Sequence, residues 1–121
     1  AGTFRLAGDA FRLRQLIDNI LSNAVKYTPN GGAIRVAART HDDMIEITIS
    51  DSGLGIAEED LPHLFDDYFR AKEAVGSGLP GSGLGMGIAK AIAESHGGSI
   101  RVDSAVGRGT TVTITLPEAT P

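Results

Sequence analysis

The sequence predicts an α/β two-layer sandwich, a mixed and mostly antiparallel sheet with helices packed on one face. Three observations carry that prediction. Stretches with two-residue alternation intermix with stretches of helical periodicity along the 121 residues. Ile34–Ala38 and Ile45–Ile49 alternate in hydrophobicity and stand close together, so they read as an antiparallel hairpin. The length suits a single domain, residues 1–121, large enough to bury a real core.

Taken in order, Thr3–Ala7 alternates around Phe4 and Leu6, a short first strand. Asp9 is a helix N-cap, and Phe11–Tyr27 reads as a long helix closed by Thr28-Pro29-Asn30-Gly31-Gly32. At about 100° per residue, Leu13, Ile17, Ile20, Leu21 and Ala24 form its buried stripe. The two strands of the hairpin read as half-buried, with Thr40–Asp43 as their turn. A loop at 51–56 leads into a short acidic helical stretch ending at Leu64–Arg70. Residues 71–83 are rich in Gly, Ser and Pro and too poor in apolar residues to pack, which predicts mobility. Leu84–Ser95 has helical periodicity and stops at Gly97-Gly98. Ser99–Asp103 and Thr110–Leu116 are the last strands, joined by a turn at Ala105–Gly109.

Composition removes several functions. Lys and Arg number 11 against 15 Asp and Glu, a net charge of −4, which is no footprint for gripping nucleic acid. The absence of cysteine excludes disulfides, thiolate zinc sites and a cysteine nucleophile, and fits a reducing cytoplasm. No apolar run approaches the ~20 residues that span a bilayer. Glycine is the anomaly, 16 of 121 where average usage is about 7%.

The chemistry concentrates in three places. On the long helix Asn19, Asn23 and Lys26 share a polar face. That pattern is usually a solvated surface, but two asparagines within a helix cost propensity. Amide oxygens suit magnesium and lysine suits phosphate. Asp51-Ser52-Gly53-Leu54-Gly55-Ile56 sets a carboxylate at a strand end before two glycines. An ordinary Asp-Ser-Gly turn has the same letters, yet a carboxylate accepts hydrogen bonds only and could select an amino group such as that of adenine. Finally, Gly76, Gly78, Gly81, Gly83, Gly85 and Gly87 run into a helix, either as a flexible linker or as amides aimed at phosphate. A Rossmann reading of Gly76–Gly81 fails because no strand precedes it, and no Gly-Lys-Ser/Thr exists for a P-loop.

Together these stretches resemble the catalytic and ATP-binding domain of bacterial sensor histidine kinases, in the superfamily that includes gyrase, heat-shock-90 and MutL-type ATPases. Asn19–Tyr27 resembles the N box, Asp51–Gly55 the G1 box, Phe65–Arg70 the F box, and Gly81–Met86 the G2 box. Gly107–Thr110 with Leu116-Pro117 resembles the terminal glycine motif. Asp66 replaces the usual glutamate of the F box, and Tyr68-Phe69 reverses the frequent order. The resemblance implies the left-handed Bergerat ATP-binding fold, with ATP and Mg²⁺ as cofactors. It implies that Asn23 binds the metal, that Asn19 supports phosphate or metal, and that Lys26 neutralises phosphate. Tyr27 would pack on adenine and Asp51 would read its amino group. Gly53, Gly55 and Ile56 would shape that pocket, and Thr110 would line it. Residues 71–83 would be the ATP lid, with the Gly81, Gly83, Leu84 and Gly85 amides on the phosphates and Arg70 within reach of the γ-phosphate.

Within the superfamily, the hydrolytic branch resembles a pattern with a glutamate base where this chain has Asn19. An amide cannot take a proton, which favours phosphoryl transfer to a protein over hydrolysis. None of His41, His63 and His96 sits in a two-helix context like the family's phosphoacceptor. The expected acceptor is therefore a histidine-containing dimerisation domain of the same protein, with a response regulator as indirect partner and this domain monomeric by itself. The expected setting is cytoplasmic, with any membrane attachment of the full-length protein expected outside these residues. A serine kinase of the anti-sigma-factor type shares the N and G1 boxes but not the F box, and intact Asn23, Asp51 and glycine motifs argue against a nucleotide-binding pseudokinase that acts only as an interaction module. Phe65, Tyr68 and Phe69 are expected to form a docking edge for the histidine-bearing helices.

Overall fold

A computed structural model describes Leu6, residues 8–79 and residues 81–119. The first-strand expectation at Thr3–Ala7 lies almost wholly outside these residues; Leu6 makes an isolated antiparallel bridge to Glu118.

The first helix, α1, spans Ala10–Tyr27. Asp9 caps it, its carboxylate accepting from the amides of Phe11 and Arg12, which satisfies two otherwise orphaned donors. Its buried residues are Leu13, Leu16, Ile20 and Ala24. Ile17 and Leu21 only flank the core, so the stripe is rotated toward Leu16 relative to the periodicity reading. The reason is the second long helix, α3 (Gly85–Ser95), which packs alongside α1 and adds a buried side to it.

Strands β1 (Ile34–His41), β2 (Met44–Asp51), β3 (Ser99–Ala105) and β4 (Gly109–Pro117) form one sheet in the order β1-β2-β4-β3. Every pairing between these strands is antiparallel. The hairpin turn is tighter than expected, only Asp42 and Asp43, both at positive φ (50° and 62°) as a two-residue hairpin turn of the I′ kind demands.

Alternation sends Ile45, Ile47 and Ile49 of β2, Val112, Ile114 and Leu116 of β4, and Ile100 and Val102 of β3 to the face that the helices cover. β1 was expected to be half-buried and is exposed along all eight residues. Ile34, Val36 and Ala38 pair with Asp51, Ile49 and Ile47 and so point to the same face. However, α1 lies over β2 and α3 over β3 and β4, which leaves this edge strand uncovered.

Two further expectations change. The stretch before Arg70 forms a single 3₁₀ turn, Leu61–His63, and no longer helix. Tyr68 sits at φ 66°, outside helical space, with its amide bonded to the Gly83 carbonyl at 2.9 Å. In the 71–83 segment, Lys72–Gly76 forms a short helix, α2, and Ala71 is buried. Gly87 serves packing: a Cβ there would stand 2.9 Å from the Phe65 carbonyl.

Candidate functional site

The apolar rows of the sheet end on one polar row. Beyond Ile49, Val112 and Val102 come Asp51 of β2, Thr110 of β4 and Ser104 of β3, directly opposite one another across the three strands. All three lie on the helix-covered face by alternation. Two members of this row floor a cavity of about 300 Å³, at the lower bound of the roughly 300–1,000 Å³ typical of small-molecule sites. Asp51 and Thr110 line it directly; Ser104 stands behind Thr110.

The loop after β2 closes around this row. Asp51 Oδ1 accepts from the Gly53 amide at 2.8 Å, so the Asp-Ser-Gly turn and the cavity-facing carboxylate are one structure. Gly55 has φ 74° and Gly109 φ 85°. A Cβ at Gly55 would stand 2.0 Å from the Ala105 carbonyl oxygen, and one at Gly109 would stand 1.9 Å from that of Asp51. No other residue fits either place, for both conformation and space. Gly53 is buried behind the wall and does not reach the cavity, whereas Leu54, Gly55 and Ile56 do. The Ile56 amide is held by Ser104 Oγ at 2.8 Å.

The opposite end of the cavity belongs to helices. Asn19, Asn23, Lys26 and Tyr27 line it along one side of α1, joined by Ser22. Asn19 Nδ2 donates to the Gly85 carbonyl at 3.3 Å, joining the polar face of α1 to the start of α3. Gly81, Ser82, Gly83 and Gly85 face α1 across the cavity. Leu84 is the N-cap residue of α3; its amide is turned to Ser82 Oγ at 3.2 Å, and its side chain does not line the cavity. Between the two ends the lining is apolar, with Leu64, Ala71, Met86 and Val102 among its residues.

The lid segment is attached more firmly than its composition implies. Glu73 Oε1 accepts from the Ala57 amide at 3.0 Å, and Asp60 Oδ2 accepts from the Lys72 amide at 3.1 Å. Lys72 and Glu59 form an ion pair; its hydrogen bond, chiefly, holds the Glu59 carboxyl below and the Lys72 ammonium above their ordinary values. Arg70 Nη2 donates to the Leu79 carbonyl at 2.6 Å, with Tyr27 Oη and the Ala74 carbonyl also in reach. Arg70 therefore clasps the lid to the end of α1, and a phosphate contact from it requires an exchange of partners or its other nitrogens.

Of the three aromatics read as a docking edge, Tyr68 is exposed, Phe65 is half-buried under the Lys90 ammonium, and Phe69 lines the cavity. His96 is a structural clamp. Its Nδ1 donates to the Ile92 carbonyl at 2.8 Å while Nε2 accepts from the Asp9 amide at 3.1 Å, an arrangement of the neutral ring. Ser104 is invisible to motif reading, because nothing in its spacing distinguishes it from other strand serines; nor does anything in the sequence mark Leu64, Val102 or Met86, the last residue of the G2 stretch, as cavity lining.

Residues 8–120 match the family described as histidine kinase-, DNA gyrase B-, and HSP90-like ATPase. The chain is 40% identical over 111 residues to the sensor histidine kinase WalK of Bacillus subtilis, covering 90% of this chain and 18% of WalK. It is 40% identical over 115 residues to the sensor-like histidine kinase SenX3 of Mycolicibacterium smegmatis, covering 95% and 30%. It thus spans less than a third of either relative. Among solved structures, the mycobacterial sensor histidine kinase MprB superimposes with a TM-score of 0.85 at 34% identity, covering 96% of this chain and 78% of that one. Full-length ShkA in complex with AMPPNP superimposes with a TM-score of 0.81 at 27% identity, covering 98% and 24%. A two-ended cavity between α1 and the lid, floored by the G1 aspartate and matched along nearly the whole chain, places the protein in the histidine kinase-, DNA gyrase B- and HSP90-like ATPase family, among the ATP-binding catalytic domains of sensor histidine kinases.

Proposed function

We propose that the domain, residues 1–121, binds Mg-ATP in this cavity and donates the γ-phosphoryl group to a histidine on a separate dimerisation domain of the same protein, the first step of a two-component phosphorelay. One observation supports this above the rest: the cavity has chemically different ends. The sheet end presents the Asp51 carboxylate and Thr110, suited to the amino edge of adenine. The helix end presents Lys26, two amides and the glycine-rich start of α3, suited to phosphates.

In this reading Asp51, fixed by the Gly53 amide, accepts from the adenine amino group, and Gly55 and Ile56 shape the pocket around the base. Tyr27 packs beside the base, held by Arg70. Lys26 and the Gly81–Gly85 amides offset phosphate charge. Asn23 offers a neutral oxygen to Mg²⁺. Among the described residues no three His, Asp or Glu side chains converge, so the chain supplies too few ligands to hold the cation unaided. That donor set fits a metal that arrives on the nucleotide. When bound, Mg²⁺ neutralises the phosphate oxygens and orients the terminal group. The protein's share of catalysis is positioning and charge. The full protein works in the cytoplasm, anchored or not, with a response regulator downstream.

Mixing this domain with the histidine-bearing domain and γ-labelled ATP tests the proposal. Acid-labile, base-stable label on a histidine of that domain is expected. Nucleotide binding with no transfer to histidine overturns the kinase assignment.

A further inference from the structure

Ser104 lies outside the cavity and in no motif, yet its hydroxyl has three partners. The Ile56 amide reaches Ser104 Oγ at 2.8 Å and can only donate. The Gly109 carbonyl lies 2.8 Å away and can only accept. Thr110 Oγ1 is 2.9 Å away and can do either. A serine hydroxyl has one hydrogen. With that hydrogen on the Gly109 carbonyl, the contact to Thr110 is satisfied only if Thr110 is the donor. The single Thr110 hydrogen is then committed backward to Ser104, and only lone pairs of its oxygen remain for the cavity. Asp51, beside Thr110 on the other strand, keeps its carboxylate directed at the cavity and accepts from the Gly53 amide instead.

We infer that Ser104 is a specificity-positioning residue: it fixes the direction of the Thr110 hydroxyl and so makes the sheet end of the cavity a wall of acceptors. Such a wall binds a purine that brings donors at its sixth position and leaves a 6-oxopurine facing unpaired lone pairs. Rejecting a ligand that fails to pair buried polar groups is a stronger discrimination than shape alone provides. The inference rests on the Mg-ATP reading above and extends it from Asp51 to a residue that touches no nucleotide.

Because Ser104 also holds the Ile56 loop, its removal alone could weaken all nucleotides equally. The test is therefore a ratio. ATP and ITP, identical except at the sixth position and its neighbouring ring nitrogen, are titrated with Mg²⁺ into the parent, Ser104→Ala, Ser104→Thr, Thr110→Val and the Ser104→Ala/Thr110→Val double variant, with thermal melts to verify folding. The parent is expected to prefer ATP. Ser104→Ala frees the Thr110 hydroxyl to donate to the 6-oxo group and lowers the ATP/ITP ratio about three- to tenfold. Ser104→Thr keeps the hydroxyl and the parent ratio. In the double variant the ratio matches that of Thr110→Val alone, since the two act as one unit. An unchanged ratio in folded Ser104→Ala, with both affinities reduced alike, overturns the inference and leaves Ser104 a loop anchor. If Ser104→Ala does not fold, a Ser104→Thr ratio that falls like that of Thr110→Val overturns it equally. A parent that binds neither nucleotide overturns the Mg-ATP reading itself.

Discussion

The two ends of the cavity are built by different means. The sheet end is carried on three neighbouring strands, and each of its polar groups has a protein partner: Asp51 with Gly53, Thr110 with Ser104, Ser104 with Ile56 and Gly109. The helix end is more open. Asn19 is tied to Gly85, but Asn23 and Lys26 make no side-chain hydrogen bond to another described residue, and the segment facing them is a run of glycine and serine. The polar groups of the sheet end are paired within the protein, whereas the Asn23 and Lys26 side chains of the helix end are left for the ligand of the proposed function. Under the proposed function this contrast has a reason: discriminating a base requires rigid, pre-directed acceptors, and gripping and later releasing phosphates requires donors that a ligand can order.

The largest expected effect comes from breaking the rigid end. Gly109→Ala forces a Cβ against the Asp51 carbonyl at a positive φ, and should cost on the order of 3 kcal/mol of stability. Urea denaturation would read it, and nucleotide binding should be lost with it. Next, Asp51→Asn should weaken ATP binding by about 1–3 kcal/mol and blunt the preference for ATP over GTP, since an amide donates as well as accepts. A variant that still discriminates the bases as the parent does would reduce Asp51 to a turn residue.

At the open end the effect is smaller and conditional. Asn23→Ala should leave the fold intact and remove most of the Mg²⁺-dependent part of ATP affinity, seen by titration with and without the cation. Equal affinities in parent and variant would contradict the metal assignment. Hydrogen exchange sharpens the contrast without mutation. Residues 72–76, fixed by Glu73, Asp60 and Lys72, should be partly protected before nucleotide is added, while the gain on adding ATP and Mg²⁺ should concentrate at 77–84. Uniform protection across 71–83 in the free protein would remove the distinction. The smallest change in affinity should come from Tyr68→Ala, because Tyr68 is exposed and does not line the cavity. It should alter ATP affinity by less than about twofold yet reduce transfer to the histidine domain. Phe69→Ala, by contrast, should weaken ATP as well, because that ring is part of the lining.

Much of the protein was legible in local patterns. The cap at Asp9, the helix over 10–27, the hairpin strands and the glycine stop at 97–98 follow from periodicity and terminal chemistry, which act within a few residues. So did the polar face of α1, Asp51 and the glycine run, because asparagines within a helix and clustered glycines are anomalous where they stand. Tertiary structure alone decided the rest. Leu16 is central and Val36 exposed because of where α3 and α1 lie over the sheet, and no spacing within one element encodes that. Residues 72–76 are held by residues 57–60, partners a dozen or more positions away. Ser104 meets Ile56 across 48 residues, and Asp51, Thr110 and Ser104 share one row only because the register aligns them. Periodicity assigns a side chain to a face; only the pairing of distant strands decides which neighbour its hydrogen points to.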